Sequence, residues 1–240
     1  MNSPLSSRTR RIVAVAAAAA ASLAAAAGVA SAGAPTFGAF HGQNFSGGNW
    51  GGYVGFGSFT TATAGWTEPS VTCNSSNDLF APWVGIDGDG SSTVEQTGVA
   101  TDCSSGAPVY QAWYEMYPAA PVYYSSSEAP VSAGDKITAT VTRSGTNSYK
   151  LDISDTSKGW SKTITKSLDA KHSSAEAIIE SPTDSYPSIP GGISFTGVEF
   201  DGKNLADTSP QALDADDRGS ATFSPGAIGS DGQSFTMTRH

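Results

Sequence analysis

Two short stretches hold the side chains with the most chemistry to offer. In TVEQTGVATD, residues 93–102, the uncharged Gln96 stands in a strand-like run, and in SSAEAIIESPTD the carboxylates Glu176 and Glu180 stand four residues apart. A spacing of four puts both glutamates on one face of a strand. A glutamate followed by an apolar pair in a strand that runs into Ser-Pro is placed for partial desolvation. That would raise its pKa and equip it to pass protons, whereas a glutamate at a strand edge simply faces water. The amide of Gln96 is either a hydrogen-bonding strut or a catalytic group that donates and accepts without titrating. In a third stretch, VYQAWYEMYP, alternation puts Val109, Gln111, Trp113, Glu115 and Tyr117 on one face, and Tyr110, Ala112, Tyr114 and Met116 on the other. Two aromatics, an amide and a carboxylate on one side suit a binding groove or, equally, a polar face carrying a few amphipathic rings.

Other chemistries are missing. The chain has no G-x-S-x-G elbow, no H-E-x-x-H, and no Asp-Thr-Gly or Asp-Ser-Gly pair. The run DGDGSSTVE (Asp87 to Glu95) begins like a calcium loop, but that register puts Ser92 sixth and Gly98 twelfth, so it reads as a Gly-rich turn. Two cysteines, with histidines scattered at 41, 172 and 240, make no metal-ligand spacing. No metal or other cofactor is expected.

The elements that position these residues are short alternating runs broken by Gly, Pro, Asn and Ser. In DKITATVTRSGTNSYKLDISD, Ile137, Ala139 and Val141 alternate with threonines, RSGTN supplies a turn, and Tyr149, Leu151 and Ile153 alternate again. GWSKTITKSLD continues the meander, and SPQALDADDRGSA offers one helical turn at most. Many strands without crossover helices predict an all-β sandwich of two antiparallel sheets.

The first 32 residues read as a signal peptide: Arg8, Arg10 and Arg11, an Ala/Val-rich apolar run, and the small-x-small ending Ala30-Ser31-Ala32. A membrane anchor competes, since the run approaches the ~20 residues that cross a bilayer, but no basic stop-transfer cluster follows it. Residues 33–47 (GAPTFGAFHGQNFSG) read as a flexible lead-in, and 48–240 as one domain. The whole chain carries a net charge of −9; losing three arginines leaves 10 basic against 22 acidic residues, −12 for the exported part. Such a surface repels phosphate backbones, so nucleic acid is not an expected partner. Cys73 and Cys103 both fall in the exported part, where oxidation to a disulfide is the natural outcome. The loop they close is worth roughly 3.5–4 kcal/mol on chain-entropy grounds. Because they flank the strands of WVGIDG and EQTGV, the bond is expected to tie these together just below Gln96.

The blocks NWGGYV (from Asn49), APWVGIDG (from Ala81), EQTGV (from Glu95), AWYEMYP (from Ala112) and SSAEAIIESP (from Ser173) occur in an order that resembles the eqolisin, or glutamic peptidase, family, as a secreted member of bacterial type. The combination of WVGIDG, QTGV and AWYE-x-YP carries the resemblance, which spans most of the exported chain. It implies a sandwich of two curved antiparallel sheets of lectin-like or jelly-roll type, with a substrate groove on one face, acting as a monomer on protein or peptide substrates outside the cell. It also implies that Gln96 is the catalytic glutamine and Glu176 the catalytic glutamate. Trp50, Trp83, Asp87, Trp113, Glu115 and Tyr117 match groove or supporting positions. On this basis ionised Glu176 deprotonates a water and returns the proton to the leaving amine, while Gln96 orients that water and donates to the oxyanion. Two positions depart from the pattern: Ala100 replaces an acidic residue and Ala177 an aromatic one. A long prodomain is also absent.

The resemblance further implies that Gln96 and Glu176 lie on neighbouring strands, facing one groove and sharing a water. The alternatives are a lectin-like glycoside hydrolase, for which Glu115 with Glu176 is the one plausible carboxylate pair, and a non-catalytic carbohydrate- or peptide-binding module with stacking tryptophans. EFDGKN, from Glu199, begins like a hydrolase E-x-D-x-x-E run and stops.

Overall fold

Short runs of alternating polarity, punctuated by turn residues, leave strands as the structure that hides one side of each run. The computed structural model describes residues 48–216 and 221–240. In chain order its strands are β1 (Trp50–Phe56), β2 (Thr61–Thr67), β3 (Leu79–Ile86), β4 (Val94–Asp102), β5 (Val109–Tyr117), β6 (Val122–Tyr123), β7 (Lys136–Gly145), β8 (Ser148–Asp155), β9 (Trp160–Ser167), β10 (Ser174–Glu180), β11 (Ile193–Phe200), β12 (Lys203–Asn204), β13 (Gln211–Leu213), β14 (Ala215–Asp216), β15 (Ala221–Pro225) and β16 (Phe235–Arg239). They form two antiparallel sheets. One has seven strands in the order β13-β1-β10-β3-β4-β5-β6, and the other nine, β14-β15-β16-β11-β2-β7-β8-β9 with β12 beside β11. The all-β sandwich expected from the sequence is the observed fold. The predicted signal peptide (1–32) and lead-in (33–47) lie outside the described residues.

The core sorts by residue parity, as a two-residue side-chain period requires. Phe80, Val84 and Ile86 of β3, Val99 of β4, Ala112, Tyr114 and Met116 of β5 and Ala175, Ala177 and Ile179 of β10 join Ile137, Val141, Leu151 and Phe195 of the facing sheet in one large buried cluster. The alternate residues, Trp50, Val54, Trp83, Ala100, Trp113 and Ile178, form a second cluster on the other face of the seven-stranded sheet. VYQAWYEMYP divides at its expected parity: Trp113 falls in the second cluster with Tyr117 packed against it, and Ala112, Tyr114 and Met116 fall in the first.

The hairpin read from RSGTN is β7–β8, which pairs Val141 with Leu151 and Ala139 with Ile153. The single helical turn falls earlier than predicted, as a 3₁₀ turn over Leu205–Thr208, while Gln211–Leu213 and Ala215–Asp216 are drawn into strands by their neighbours. Cys73 and Cys103 form the disulfide, with Cα atoms 5.6 Å apart. Its place differs from expectation. Cys103 follows the last residue of β4, whereas Gln96 is near that strand's start, so the bond staples the far end, about 20 Å along the strand at ~3.3 Å per residue.

Candidate active site

Strand register decides which side chains meet. Glu176 of β10 pairs with Gly85 of β3, Gly85 pairs with Gln96 of β4, and Gln96 pairs with Glu115 of β5. The four form one cross-strand row on the face opposite the inter-sheet core. Gln96 and Glu176 therefore share a face as expected, but not on neighbouring strands: β3 lies between them and contributes a glycine. Two strand spacings separate their backbones by roughly 9–10 Å, and Gly85 itself puts no side chain between them. A Cβ on Gly85 would come within 2.8 Å of the Trp83 ring and 3.3 Å of the Gln96 Cβ.

The adjoining row repeats the device. Ile178 pairs with Trp83, Trp83 with Gly98, and Gly98 with Trp113. Gly98 leaves room between the two indoles; a Cβ there would stand 2.6 Å from the Trp83 Cβ and 2.3 Å from the Pro82 carbonyl. Trp50 meets Trp83 edge-on at 4.7 Å, and the Trp83 indole N–H donates to Glu180 Oε2 at 3.0 Å. Asn49 Nδ2 donates to the other oxygen of Glu180 at 3.0 Å. Glu180 is thus tied to the tryptophan wall, which leaves Glu176 as the carboxyl open to other work.

The Gln96 side chain is oriented. Its Nε2 donates to Glu115 Oε2 at 2.8 Å, and its Oε1, buried, has no partner. Neither oxygen of Glu176 has a committed partner either, because the nearby Ser174 hydroxyl donates to the Asp89 carbonyl at 3.3 Å. Both residues are fully buried. Burial pushes the Glu176 carboxyl well above the ordinary range; the Ser174 hydroxyl pulls the other way, and Asp87, Asp89 and Glu95 add smaller upward pushes. The side chain expected to be an ionised base therefore sits where the neutral acid is favoured, since a buried carboxylate without donors is costly.

Asp87, expected in the groove, is buried at the end of β3 and binds backbone. It accepts the N–H groups of His172 and Ser173, both at 2.7 Å. Tyr117 is half-buried at the end of the row of Trp113 and Glu115. Of the two departures, Ala100 lies on the site's face and Ala177 in the inter-sheet core, so the second alters packing and not the shape of the site. Sequence reasoning passed over Asp89, whose Oδ2 is buried without a partner, because its loop reads as a plain turn. It also passed over Glu95. That side chain points between the sheets, beside Ile86 and Met116, with neither oxygen bonded and its pKa pushed by burial, then by Asp87, to about 9. Strand alternation alone signals its inward direction. Among the described residues no group of three His, Cys, Asp or Glu side chains is placed to hold a metal ion, and no helix is long and apolar enough to cross a membrane.

The chain is similar to several known peptidases. Over 203 residues the chain is 30% identical to aspergillopepsin-2 of Aspergillus niger, covering 72% of this chain and 71% of that protein. It is 30% identical over 197 residues to scytalidopepsin B of Scytalidium lignicola, covering 79% and 66%. Among solved structures it is similar to scytalido-glutamic peptidase bound to a transition-state analogue inhibitor, with a TM-score of 0.69 at 25% identity over 80% of this chain and 98% of that one. Aspergilloglutamic peptidase from Aspergillus niger matches with a TM-score of 0.56 at 28% identity, over 68% and 99%. The model of the peptidase A4 family matches residues 48–224, a span that contains the whole Glu176–Gly85–Gln96–Glu115 row, and the chain belongs to that family.

Proposed function

We propose that this chain is a secreted acid endopeptidase in which Glu176 and Gln96 act together on one water to hydrolyse peptide bonds. The observation that carries the reading is the row itself: a carboxyl and an oriented amide face each other across a glycine, each with an oxygen that no protein group uses. A water between them accepts orientation from Gln96 Oε1. As it attacks the scissile carbonyl, Glu176 takes its proton and then delivers that proton to the leaving nitrogen, so the carboxyl ends the cycle as it began. A carboxyl whose pKa is raised by burial stays protonated in acid and cannot take a proton until donors lower that pKa. Water and substrate amide N–H groups entering the face supply those donors, and the proton that Glu176 then takes from the water is the one it delivers to nitrogen. The Gln96 amide has a second N–H beyond the one given to Glu115, and that N–H is available to the oxyanion. Being uncharged, it keeps this ability in acid.

The scheme asks for no group beyond Glu176, Gln96 and Glu115, and the proposal is of a single chain acting on protein or peptide substrates without a cofactor. Secretion rests on the leader-like first 32 residues; the bacterial type rests on the resemblance alone, and the two curated relatives above are fungal. The glycoside hydrolase alternative is disfavoured by the row. Glu115 and Glu176 are three strand spacings apart, about 14 Å between backbones, with Gln96 between them and bonded to Glu115. The test is incubation of the exported chain at pH 3–4 with denatured protein and, separately, with polysaccharide. Peptide fragments and no released sugar are expected; sugar release without peptide cleavage would overturn the proposal.

A further inference from the structure

Asp87 leaves β3 with φ 69°, a left-handed conformation that residues other than glycine adopt seldom and usually for a reason. Here the reason is a reciprocal clamp on the start of β10. Its N–H donates to the Ser174 carbonyl at 3.0 Å. Its Oδ2 accepts the His172 N–H at 2.7 Å, and its Oδ1 accepts the Ser173 N–H at 2.7 Å and the Ser173 hydroxyl at 3.0 Å. His172 also takes a left-handed turn, φ 58°. A fully buried carboxylate thus holds three uncharged donors just ahead of Glu176, and no Lys, Arg or His side chain is ion-paired with it among the described residues. A carboxyl held by uncharged donors, with no cationic partner beside it, is felt by its neighbours across the interior.

We propose that Asp87 does not touch substrate but is the positioning residue for Glu176, fixing the entry of β10 through its bonds to residues 172–174. The inference rests on the reading of Glu176 as the acid–base group. Around Glu176, the loop after β3 supplies Asp87 and Asp89, and β4 supplies Glu95 behind and Gln96 in front. Glu115 lies beyond Gln96 on β5, and β10 itself gives Ser174. Behind the clamp the Tyr149 hydroxyl bonds His172 Nε2, with Arg143 close enough to be felt by both, while Lys171 Nζ donates to the Gly90 carbonyl. Asp87 is the member of this set whose carboxyl is held by backbone donors. Its contribution raises the Glu176 carboxyl together with those of Asp89 and Glu95.

The experiment compares wild type with Asp87→Asn, which keeps size and loses charge. The limb of the kcat–pH profile governed by Glu176 should move toward acid by about one pH unit, the size of one nearby charge at an effective dielectric near 20. KM should stay within about twofold while kcat falls roughly tenfold. A second variant, Ser173→Ala, removes one of the three donors and leaves both amides; its kcat should fall about two- to threefold at unchanged KM. Titration of ¹³C-labelled glutamate carboxyls, with Glu176 assigned through Glu176→Gln, reads the same shift without turnover. A folded Asp87→Asn chain with an unmoved Glu176 titration and wild-type kcat overturns the proposal. If Asp87→Asn does not fold, wild-type kcat in Ser173→Ala overturns it. A wild-type chain that cleaves no peptide sinks the catalytic reading instead, while the titration still decides whether Asp87 controls Glu176.

Discussion

Glu176 and Gln96 face each other across Gly85, two strands apart in one row of the seven-stranded sheet. Their meeting depends on a residue that has no side chain. Gly85→Ala would place a methyl 2.8 Å from the Trp83 ring and 3.3 Å from the Gln96 Cβ, in the space assigned to the water. Turnover should fall by at least about a hundredfold, near the cost of losing one oxyanion donor. Overpacking should remove about 1–3 kcal/mol of stability. Turnover and melting temperature measured on the same samples check this; a folded variant with undiminished turnover would show that the gap is not where the chemistry occurs.

Substitution of the two polar residues tests the proposed dyad directly. Glu176→Gln keeps the shape and removes the proton carrier, so turnover should drop to near background while peptide binding persists. Gln96→Ala removes an oxyanion donor and the water's anchor, a loss of about 10²–10³ in turnover. Since both act on one water, the double variant should be scarcely worse than Glu176→Gln alone. A glutamine that only holds the sheet together predicts lower thermal stability and unchanged specific activity in the surviving folded fraction.

Glu115 fixes which way the Gln96 amide points, through the 2.8 Å bond from Nε2. Glu115→Ala frees the amide to rotate, and about tenfold in kcat should be lost, the kinetic equivalent of one hydrogen bond of ~1.4 kcal/mol. Glu115→Gln retains an acceptor oxygen and should recover most of that loss. Equal kcat in wild type and Glu115→Ala would remove Glu115 from the mechanism.

Stability should fall as pH rises. Burial pushes Glu68 up to about 8, against the opposing pull of hydrogen bonds from Trp66 and Thr101, and Glu95 up to about 9. Both folded-state values lie above the unfolded value near 4.3, so the folded protein holds these protons more tightly. The stabilisation from that source is complete below about pH 4 and is lost as pH climbs through 8 to 9. Melting temperature recorded from pH 3 to 9 should be highest at the acid end. Glu95→Gln should flatten the decline, because it removes a buried acid that has no hydrogen-bond donor. A melting temperature that rises toward neutrality would contradict this account.

The sequence by itself determined the sheet class, the disulfide partners and the faces of the strands, because each of these is set locally. Alternation in AWYEMYP and in SAEAIIE assigns every side chain to one of two faces, and the sandwich honours both assignments. Two cysteines leave one intramolecular pairing. What it could not determine was which strands lie side by side, since antiparallel neighbours are chosen by packing between segments far apart in the chain. That choice put β3 between Gln96 and Glu176, turned the glycine of WVGIDG into the gap across which they meet, and sent the disulfide to the far end of β4. Electrostatics belongs to the tertiary structure for the same reason. Glu95, Glu176 and Glu180 are the same residue type in similar strands, yet one is sealed between the sheets and one holds Trp83 and Asn49. The third faces Gln96 with both oxygens uncommitted, and only the assembled sheets decide which.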